Sequence, residues 1–461
     1  MKIATKEISA ESLVKNALEK AKKFEDYHIF TFLNEEKALE KARAIDRRIA
    51  NGEEVGKLAG VPYALKDNFL SPEGETTASA HILEGFTSPV TATTVERLEA
   101  EGAIMIGRTN LDAFAHGSST ENSYFGPTLN SHDRERVAGG SSGGSAVAVA
   151  LDIVEFATGT DTGGSIRQPA SFNGVYGLKP TYGCNSRYGV VAMASSTDCI
   201  GFFTKTPEDM DLLMSISSGK DSKDMTTLDD YYNKVAAGPV GNKRIGIIKD
   251  FDNDSVNTEI REALKRKCEL LKSKGHEIVE LSMPALKYAL AAYYIIVPAE
   301  VASNLSRHDG VRYGFRSEKS ENLDKLYSET RSEGFMPENK RRIMIGNFVL
   351  SSGFYNAYFL KAAKARTLII EEYQKAFEQC DFILTPVSPS PAFKLGEKVN
   401  DPVAMYLEDV MSVPLNLAGV PGLAIPAGET KTGLPIGLQL IGPRRSDKKL
   451  IEFSKELQEN A

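Results

Sequence analysis

Apolar residues recur every three or four positions in the first part of the chain, which is the spacing of one helix face. One such run follows Ser9, whose hydroxyl suits a helix N-cap. A second run begins near Glu35 and ends at Asn51-Gly52, a pair typical of a helix C-terminus. The apolar positions of the two runs are Leu13, Val14, Ala17 and Leu18, followed by Leu39, Ala42, Ile45 and Ile49. The pattern predicts a helical N-terminal part over residues 1–55.

From residue 56 to about residue 215 the pattern changes to short apolar runs separated by Gly, Ser, Thr and Asn. Three of these runs, at residues 62–65, 103–106 and 154–157, have the length of buried strands. A helix rich in Ala and Val is predicted to begin near Ser145. This middle block therefore reads as strands that alternate with turns and helices.

From residue 240 onward, strand-like and helix-like segments alternate. RIGIIKDF (244–251), an amphipathic helix near residues 257–274 and EIVELS (277–282) form a β-α-β unit. A helix is predicted over about 347–380, and three strand-like segments follow it: DFILTPV (381–387), LAIPAG (423–428) and PIGLQLIG (435–442). The alternation predicts an α/β fold with a mixed central β-sheet flanked by helices.

The 461 residues contain no internal repeat, no low-complexity tract and no abrupt change of composition that would mark a linker. We therefore predict one large domain over residues 1–461, with a helical part (1–55), a Gly/Ser-rich core (56–215) and a C-terminal part (240–461). No apolar stretch without charges approaches the ~18 residues of a membrane span. The N-terminus, MKIATKEISAES, lacks the apolar core of a signal peptide, so we expect a cytoplasmic protein.

The formal net charge is −7, and Lys and Arg do not concentrate on one predicted element. A protein that grips a nucleic-acid backbone by itself usually has a basic stripe, so independent nucleic-acid binding is not expected. Four cysteines are scattered through the chain without C-x-x-C spacing: Cys184, Cys199, Cys268 and Cys380. Their spacing indicates neither a zinc site nor a disulfide framework.

The candidate chemistry lies in residues 139–165, GGSSGGSAVAVALDIVEFATGTDTGGS, which hold Ser141 and Ser165 in two Gly/Ser clusters with no histidine between them. A serine nucleophile needs a nearby base. The G-x-S-x-G match at 139–143 would require an acidic residue and then a histidine downstream. Only His276 and His308 follow, and neither lies in a turn after a predicted strand. No P-loop pattern is present, so the glycines otherwise indicate tight turns.

Lys66 follows a short apolar strand and is a candidate for the missing base. A lysine in this position is usually an ordinary strand-end residue with its amine in water. If it is buried, desolvation can lower its pKa from ~10.4 by several units, and a shift of ~3.4 units makes half of it neutral at pH 7. A neutral amine can act as a general base.

Four segments, in this order, resemble the amidase signature family: GVPYALKDN (60–68), GGSSGGS (139–145), GTDTGGSIRQPA (159–170) and GVYGLKPTYG (174–183). The resemblance implies a Ser–cis-Ser–Lys triad in which Ser165 is the nucleophile, Ser141 bridges and Lys66 is the base. It implies a cis peptide before Ser141 and a supporting hydrogen bond from Ser142. The backbone N–H groups implied for the oxyanion hole are those of Thr162, Gly163, Gly164 and Ser165. No metal or organic cofactor is implied in this chain.

Within the family, four further segments are most similar to the glutaminase subunits of tRNA-dependent amidotransferases: STENSYFGPTLN (119–130), EVASNLSRHDGVRYG (300–314), RRIMIGNFVLSSGFYNAY (341–358) and SVPLNLAGVPGLAIPAG (412–428). The resemblance implies glutamine as the substrate. It assigns Arg342 to the α-carboxylate and Asp409 to the α-ammonium, with Tyr293 beside them. From the sequence alone, the adjacent Arg341 competes with Arg342 for this role.

The same resemblance implies that ammonia passes to a partner subunit that uses ATP and Mg²⁺ and holds the mischarged tRNA, and that a small third subunit completes the complex. The product would be Gln-tRNA, Asn-tRNA or both. Three positions or segments depart from the family pattern: Ala138 where proline is expected, CNSRYG at 184–189, and Cys199 where glutamine is expected. A free-standing amidase for another small amide and a non-catalytic assembly protein are the alternative functions.

Overall fold

The computed structural model describes residues 8–235, 241–251, 253–319 and 321–458. Residues 1–7 lie outside these ranges, and with them part of the N-terminus for which no signal peptide is predicted. Within the described residues the helices are α1 (Ala10–Lys23), α2 (Glu35–Ala50), α3 (Thr93–Ala100), α4 (Gly143–Ala150), α5 (Arg167–Asn173), α6 (Pro207–Ser217), α7 (Thr258–Ser273), α8 (Ala289–Asn304), α9 (Leu323–Gly334), α10 (Pro337–Leu350), α11 (Phe359–Gln379), α12 (Pro402–Leu407), α13 (Val413–Ala418) and α14 (Asp447–Ser454).

The strands are β1 (Phe30–Leu33), β2 (Pro62–Lys66), β3 (Ile104–Thr109), β4 (Phe156–Asp161), β5 (Tyr176–Lys179), β6 (Cys199–Thr204), β7 (Arg244–Ile248), β8 (Glu277–Leu281), β9 (Phe382–Pro386), β10 (Gly422–Glu429) and β11 (Pro435–Ile441). They form one 11-stranded sheet in the order β1-β3-β2-β4-β6-β5-β10-β11-β9-β7-β8. β2 is parallel to β3 and β4, and β7 is parallel to β8 and β9, whereas the other neighbours are antiparallel. The predicted mixed α/β sheet is confirmed.

Successive residues of the central strands point into two different hydrophobic layers, as the two-residue period of a strand requires. In β2, Tyr63 and Leu65 join one core cluster and Ala64 joins the other. In β4, Phe156 and Ala157 divide in the same way. The sheet is therefore covered on both faces, so its strands consist of apolar runs rather than alternating apolar and polar residues.

The N-terminal part is not wholly helical, contrary to the prediction from the sequence pattern. Ser9 caps α1 by accepting from the Ser12 N–H, and α2 ends at Ala50 with Asn51 as its C-cap, as predicted. Between the two helices, however, β1 pairs antiparallel with β3 at the edge of the sheet. All four residues of β1 are only half-buried, and a strand this short at an edge leaves little pattern in the sequence.

The helix predicted over 347–380 is also interrupted. α10 ends at Leu350, residues 351–358 form turns, and α11 begins at Phe359. Gly353 has φ +88°, a conformation outside the helical range. One stretch, Pro284–Arg307, is long and apolar enough to cross a membrane by length and composition, although it contains Lys287 and Glu300 and so is not an uncharged apolar stretch of the kind sought in the sequence. Its helix α8 packs against α10 and α11, and more than half of the stretch is buried within the protein, as for a core helix.

Candidate active site

Lys66 ends β2 and is completely buried. Its Nζ atom lies 2.8 Å from Ser141 Oγ, 2.7 Å from Ser142 Oγ and 2.8 Å from Thr160 Oγ1. Thr160 belongs to β4, the parallel neighbour of β2, and the two serines immediately precede α4. The carboxyl ends of two parallel strands and the start of a helix thus meet at one amine, a common position for a site in α/β sheets.

The surroundings of Lys66 favour its neutral form. Desolvation by burial lowers the pKa of Lys66 to about 7, although the carboxylates of Asp112, Asp161 and Asp198 oppose this shift. Its three polar contacts are all hydroxyls, which stabilise the ammonium less than a carboxylate in direct contact would. A substantial fraction of the amine is therefore neutral near pH 7, as a general base requires.

The hydrogen bonds around Lys66 distinguish the three hydroxyls. Ser142 Oγ donates to the Thr160 carbonyl oxygen at 3.3 Å, so it accepts from Lys66. Thr160 Oγ1 accepts from Asn68 Nδ2 at 3.1 Å as well as from Lys66. A neutral amine has two N–H bonds and one lone pair. With Ser142 and Thr160 as acceptors of the two N–H bonds, the lone pair is left for Ser141.

The loop before Ser141 is held tightly. The Gly140–Ser141 peptide is cis, as the family resemblance implied. The Gly140 N–H donates to Gln168 Oε1 at 2.9 Å, and the Ser141 carbonyl accepts from the Asp112 N–H at 3.2 Å. A Cβ atom added at Gly140 would overlap the Asp112 carboxylate and lie 2.7 Å from the Ser119 nitrogen. Only glycine fits at this position.

Ser165 lies in the turn between β4 and α5 and keeps 7% of its surface exposed. The Asp161 carboxylate organises this turn, because it accepts from the N–H groups of Gly164 at 2.9 Å and Ile166 at 3.1 Å. Burial raises the pKa of Asp161, but the guanidinium of the buried Arg167 outweighs burial and lowers it to about 2. The Ser142 N–H donates to the Ser165 carbonyl at 3.2 Å, which joins the two serine loops.

One of the four N–H groups predicted for the oxyanion hole is engaged elsewhere. Gly164 donates its N–H to Asp161 Oδ1, so this group is not available to a bound oxyanion. The N–H groups of Thr162, Gly163 and Ser165 donate to no acceptor within the described residues. Gly164 instead has φ +136°, and a Cβ there would overlap Ser412 Oγ. Its part is to shape the turn.

Arg342 is buried in α10, whereas the side chain of its neighbour Arg341 is 43% exposed. Arg342 Nε donates to Glu338 Oε1 at 2.9 Å, and its guanidinium carbon lies 5.4 Å from the centre of the Tyr294 ring. Among the described residues, Glu338 is the only hydrogen-bond acceptor of this guanidinium. The N–H groups at its outer end can therefore receive a carboxylate.

Asp409 is buried near Arg342 but makes no ion pair with it within the described part of the chain. Ser118 Oγ donates to Asp409 Oδ1 at 2.9 Å, and Tyr294 Oη donates to Asp409 Oδ2 at 2.7 Å. Burial raises the pKa of Asp409 to about 7. The two opposite charges are thus held apart, with Tyr294 in contact with both.

Tyr293, the third residue predicted for substrate binding, lies against the nucleophile loop. It is buried, and a Cβ atom added at Gly163 would overlap its hydroxyl. Its neighbour Tyr294 contacts Arg342 and Asp409, and sequence reasoning did not select it. Nor did that reasoning select Ser118 and Glu338, because single serines and glutamates are too common for the sequence to single them out.

A cavity of about 220 Å³ adjoins these charges and is lined by Ser118, Glu338, Arg342 and Tyr406, among others. It is large enough for several water molecules or a small polar metabolite. Within the described residues, no group of three or more His, Cys, Asp or Glu side chains is placed to hold a metal ion. Cys199, a departure from the family pattern, is buried with its Sγ atom 3.9 Å from Lys179 Nζ.

The sequence matches the profile of the amidase family over residues 12–451. It is 50% identical over 444 residues to a Glutamyl-tRNA(Gln) amidotransferase subunit of Cyanothece sp., covering 95% of this chain and 92% of that one. It is 51% identical over 423 residues to the protein of the same name from Persephonella marina, covering 91% and 87%. The crystal structure of the corresponding Glutamyl-tRNA(Gln) amidotransferase subunit from Thermotoga maritima superimposes with a TM-score of 0.81 at 39% identity, covering 98% of this chain and 92% of that one.

Proposed function

Because this chain belongs to the amidase family, we propose that it hydrolyses an amide with Ser165 as nucleophile, Ser141 as bridge and Lys66 as base. The observation that carries the proposal is the buried Lys66 amine, which is surrounded by hydroxyls and lies 2.8 Å from Ser141 Oγ. The Ser165 hydroxyl passes its proton to Ser141, and Ser141 passes its own proton to Lys66. The Ser165 oxygen then bonds to the amide carbon.

The tetrahedral intermediate carries a negative oxygen, which accepts from the N–H groups of Thr162, Gly163 and Ser165. Loss of one such donor typically lowers the rate ~10²- to 10³-fold. When the intermediate collapses, the C–N bond breaks and the proton returns from Lys66 through Ser141 to the leaving nitrogen, which departs as ammonia. Water then hydrolyses the acyl ester on Ser165, and the same relay takes and returns its proton.

We propose glutamine as the substrate, attacked at its side-chain amide. Free glutamine carries an α-carboxylate and an α-ammonium, and a buried arginine and a buried aspartate suit these two charges. Arg342 and Asp409 have this chemistry, and each is held by other residues rather than by the other charge. An amidase for a neutral or apolar amide would have no use for such a pair.

We further propose that the chain is the glutaminase subunit of an amidotransferase. The relatives named above, about half identical over nearly their whole length, support this assignment. Ammonia would pass to a partner subunit that binds ATP, Mg²⁺ and the mischarged tRNA, and a small third subunit would complete the complex in the cytoplasm. The product would be Gln-tRNA, Asn-tRNA or both, according to the tRNA that the partner holds.

Ser165→Ala tests the function. In the complete complex, we expect this variant to lose glutamine-dependent amidation of mischarged tRNA while ammonium-dependent amidation persists, because ammonium bypasses the hydrolytic step. The change is small enough to leave complex assembly intact, which gel filtration checks. Survival of both activities would exclude Ser165 as the nucleophile. Hydrolysis of simple aliphatic or aryl amides far faster than glutamine by the purified chain would favour the free-standing amidase.

A further inference from the structure

Eighteen consecutive residues, 343–360, contain no charged side chain, in a protein of which 25% is Asp, Glu, Lys or Arg. The segment covers the second half of α10, the turns at 351–358 and the first residues of α11. Residues 343–358 of it belong to one of the segments similar to amidotransferase glutaminase subunits, yet the proposed chemistry uses only Arg342, just before it. Residues 343–360 themselves have no assigned role.

Seven large apolar or aromatic side chains of this segment lie on the surface. Met344 is 71% exposed, and six other large side chains are between 39% and 47% exposed: Phe348, Leu350, Phe354, Tyr355, Tyr358 and Leu360. Their rings contact one another, with the Phe348 and Phe354 centroids 4.3 Å apart and the Tyr355 and Phe359 centroids 5.2 Å apart. We call the seven side chains from Met344 to Leu360 the aromatic surface. Exposed apolar clusters of this kind mark interaction sites in soluble proteins.

The α10 part of the aromatic surface, Met344, Phe348 and Leu350, lies on the outer side of a helix whose buried side carries Arg342. Arg342, Gly346 and Val349 are the buried positions in this half of α10. A Cβ added at Gly346 would overlap the Pro298 carbonyl of α8, so the two helices are in close contact there. An α-helix with its side chains is ~10 Å across, so a protein seated on Met344 and Phe348 would lie on the order of one helix width from Arg342.

We propose that the aromatic surface is the docking site for the partner subunit that receives the ammonia. This inference rests on the proposed function. Aromatic residues and methionine are enriched in the cores of protein interfaces, and charged residues are depleted there. The partner must therefore present an uncharged apolar face. The relatives are named as one subunit of an amidotransferase, so another subunit is expected to bind this surface. Transfer of ammonia to that subunit requires it to bind close to the proposed glutamine site.

Met344→Glu and Tyr355→Glu test the proposal, each measured in the full-length chain against the purified tRNA-amidating subunit. A charge at an interface core leaves a desolvated, unpaired group, so we expect the dissociation constant to rise at least tenfold for each variant. Met225→Glu is the matched control, because Met225 is 81% exposed on a loop outside the aromatic surface. The control should bind like wild type. All three variants should keep the wild-type thermal unfolding midpoint, because the substituted side chains are exposed.

Four other outcomes would contradict the proposal. If wild type binds the partner and both variants bind equally well, the aromatic surface is not the docking site, while the proposed function stands. If wild type binds no amidotransferase subunit, both proposals fail. Light scattering that shows a dimer of the chain alone, dissociated by Met344→Glu, would assign the surface to self-association and overturn the proposal. If the chain sediments with phosphatidylcholine vesicles and Tyr355→Glu abolishes this, the aromatic surface binds lipid and the proposal is overturned.

Discussion

At the scale of single residues, the structure buries one of two adjacent arginines and exposes the other, a difference that the sequence does not reveal. Arg342 points into the protein against Glu338 and Tyr294, whereas Arg341 points outward and pairs with the same Glu338 from the solvent side. Positions 341 and 342 are one helical step apart, so they face ~100° apart. The side of α10 that packs on α8 therefore decides which guanidinium can meet a substrate.

We predict that Arg342→Ala raises the KM for glutamine about 10- to 100-fold with a much smaller change in kcat, because a charge-assisted hydrogen bond to the α-carboxylate contributes ~1.5–3 kcal/mol. Arg341→Ala is the matched control and should change KM less than about threefold, as for an exposed ion pair. Steady-state glutamine hydrolysis measures both. Equal effects of the two substitutions would refute the assignment of the carboxylate to Arg342.

The sequence singles out the residues of the proposed triad more readily than the residues that support the site. Lys66, Ser141 and Ser165 follow from motif order, and the structure places the first two in direct contact. The contacts of Tyr294, Ser118 and Glu338 join residues far apart in the chain, and no local pattern encodes them. The four glycine-rich N–H groups likewise looked equivalent in the sequence, and only the position of the Asp161 carboxylate separates Gly164 from the others.

At the scale of elements, α8 and α10 form a unit that connects the glutamine site to the core. α8 carries Tyr293 and Tyr294, α10 carries Glu338 and Arg342, and Gly346 marks their closest approach. A methyl group at Gly346 would lie 2.7 Å from Ala302 Cβ, below the contact distance of two carbon atoms. The helices would have to separate to admit it.

Gly346→Ala should therefore lower the free energy of unfolding by about 1–3 kcal/mol, the range for overpacking, despite the better helix propensity of alanine. It should also raise the KM for glutamine, because α10 carries Arg342 away with it. Gly241→Ala is the control, since a Cβ there has no neighbour within 4 Å. Denaturant unfolding and steady-state kinetics measure the two effects. A Gly346→Ala variant as stable as wild type would show that the contact is looser than described.

The elements that the sequence pattern misassigned are those in which local and tertiary signals disagree. Residues 351–358 carry aromatic residues at near-helical spacing, so the pattern continued the helix through them. The turn there exposes the aromatic residues instead. β1 gave the opposite error, because its short apolar run fits either a helix end or an edge strand, and pairing with β3 decides the outcome.

At the scale of the whole molecule, one sheet brings together residues from both halves of the sequence. β5 pairs with β10, which joins the half of the sheet that carries Lys66 and leads into the Ser165 turn to the C-terminal strands. Arg342 and Asp409 come from helices and turns in that C-terminal half. The sequence predicts the α/β class from alternating strands and helices, but the order of the 11 strands depends on long-range pairing that no segment specifies alone.

The burial of Lys66 has a consequence for the stability of the entire fold. Its folded-state pKa of about 7 lies below the ordinary lysine value of 10.5, so between these values the unfolded chain binds the extra proton. The contribution of Lys66 to the free energy of unfolding therefore rises with pH above about 7, and the lysine destabilises the fold most fully below that pH. At low pH the penalty approaches ~4–5 kcal/mol, from ~1.36 kcal/mol per unit of pKa shift.

We predict that Lys66→Met, which we expect to be inactive, has its largest stability advantage over wild type at pH 6, and that this advantage shrinks by ~2 kcal/mol at pH 8.5. Denaturant unfolding of both proteins at the two pH values measures it, and other titrating groups cancel in the difference. A difference that is independent of pH would contradict the lowered pKa. The contribution of Lys66 to stability should thus be least unfavourable in mildly alkaline solution, which is also the range in which its amine is neutral and able to accept a proton.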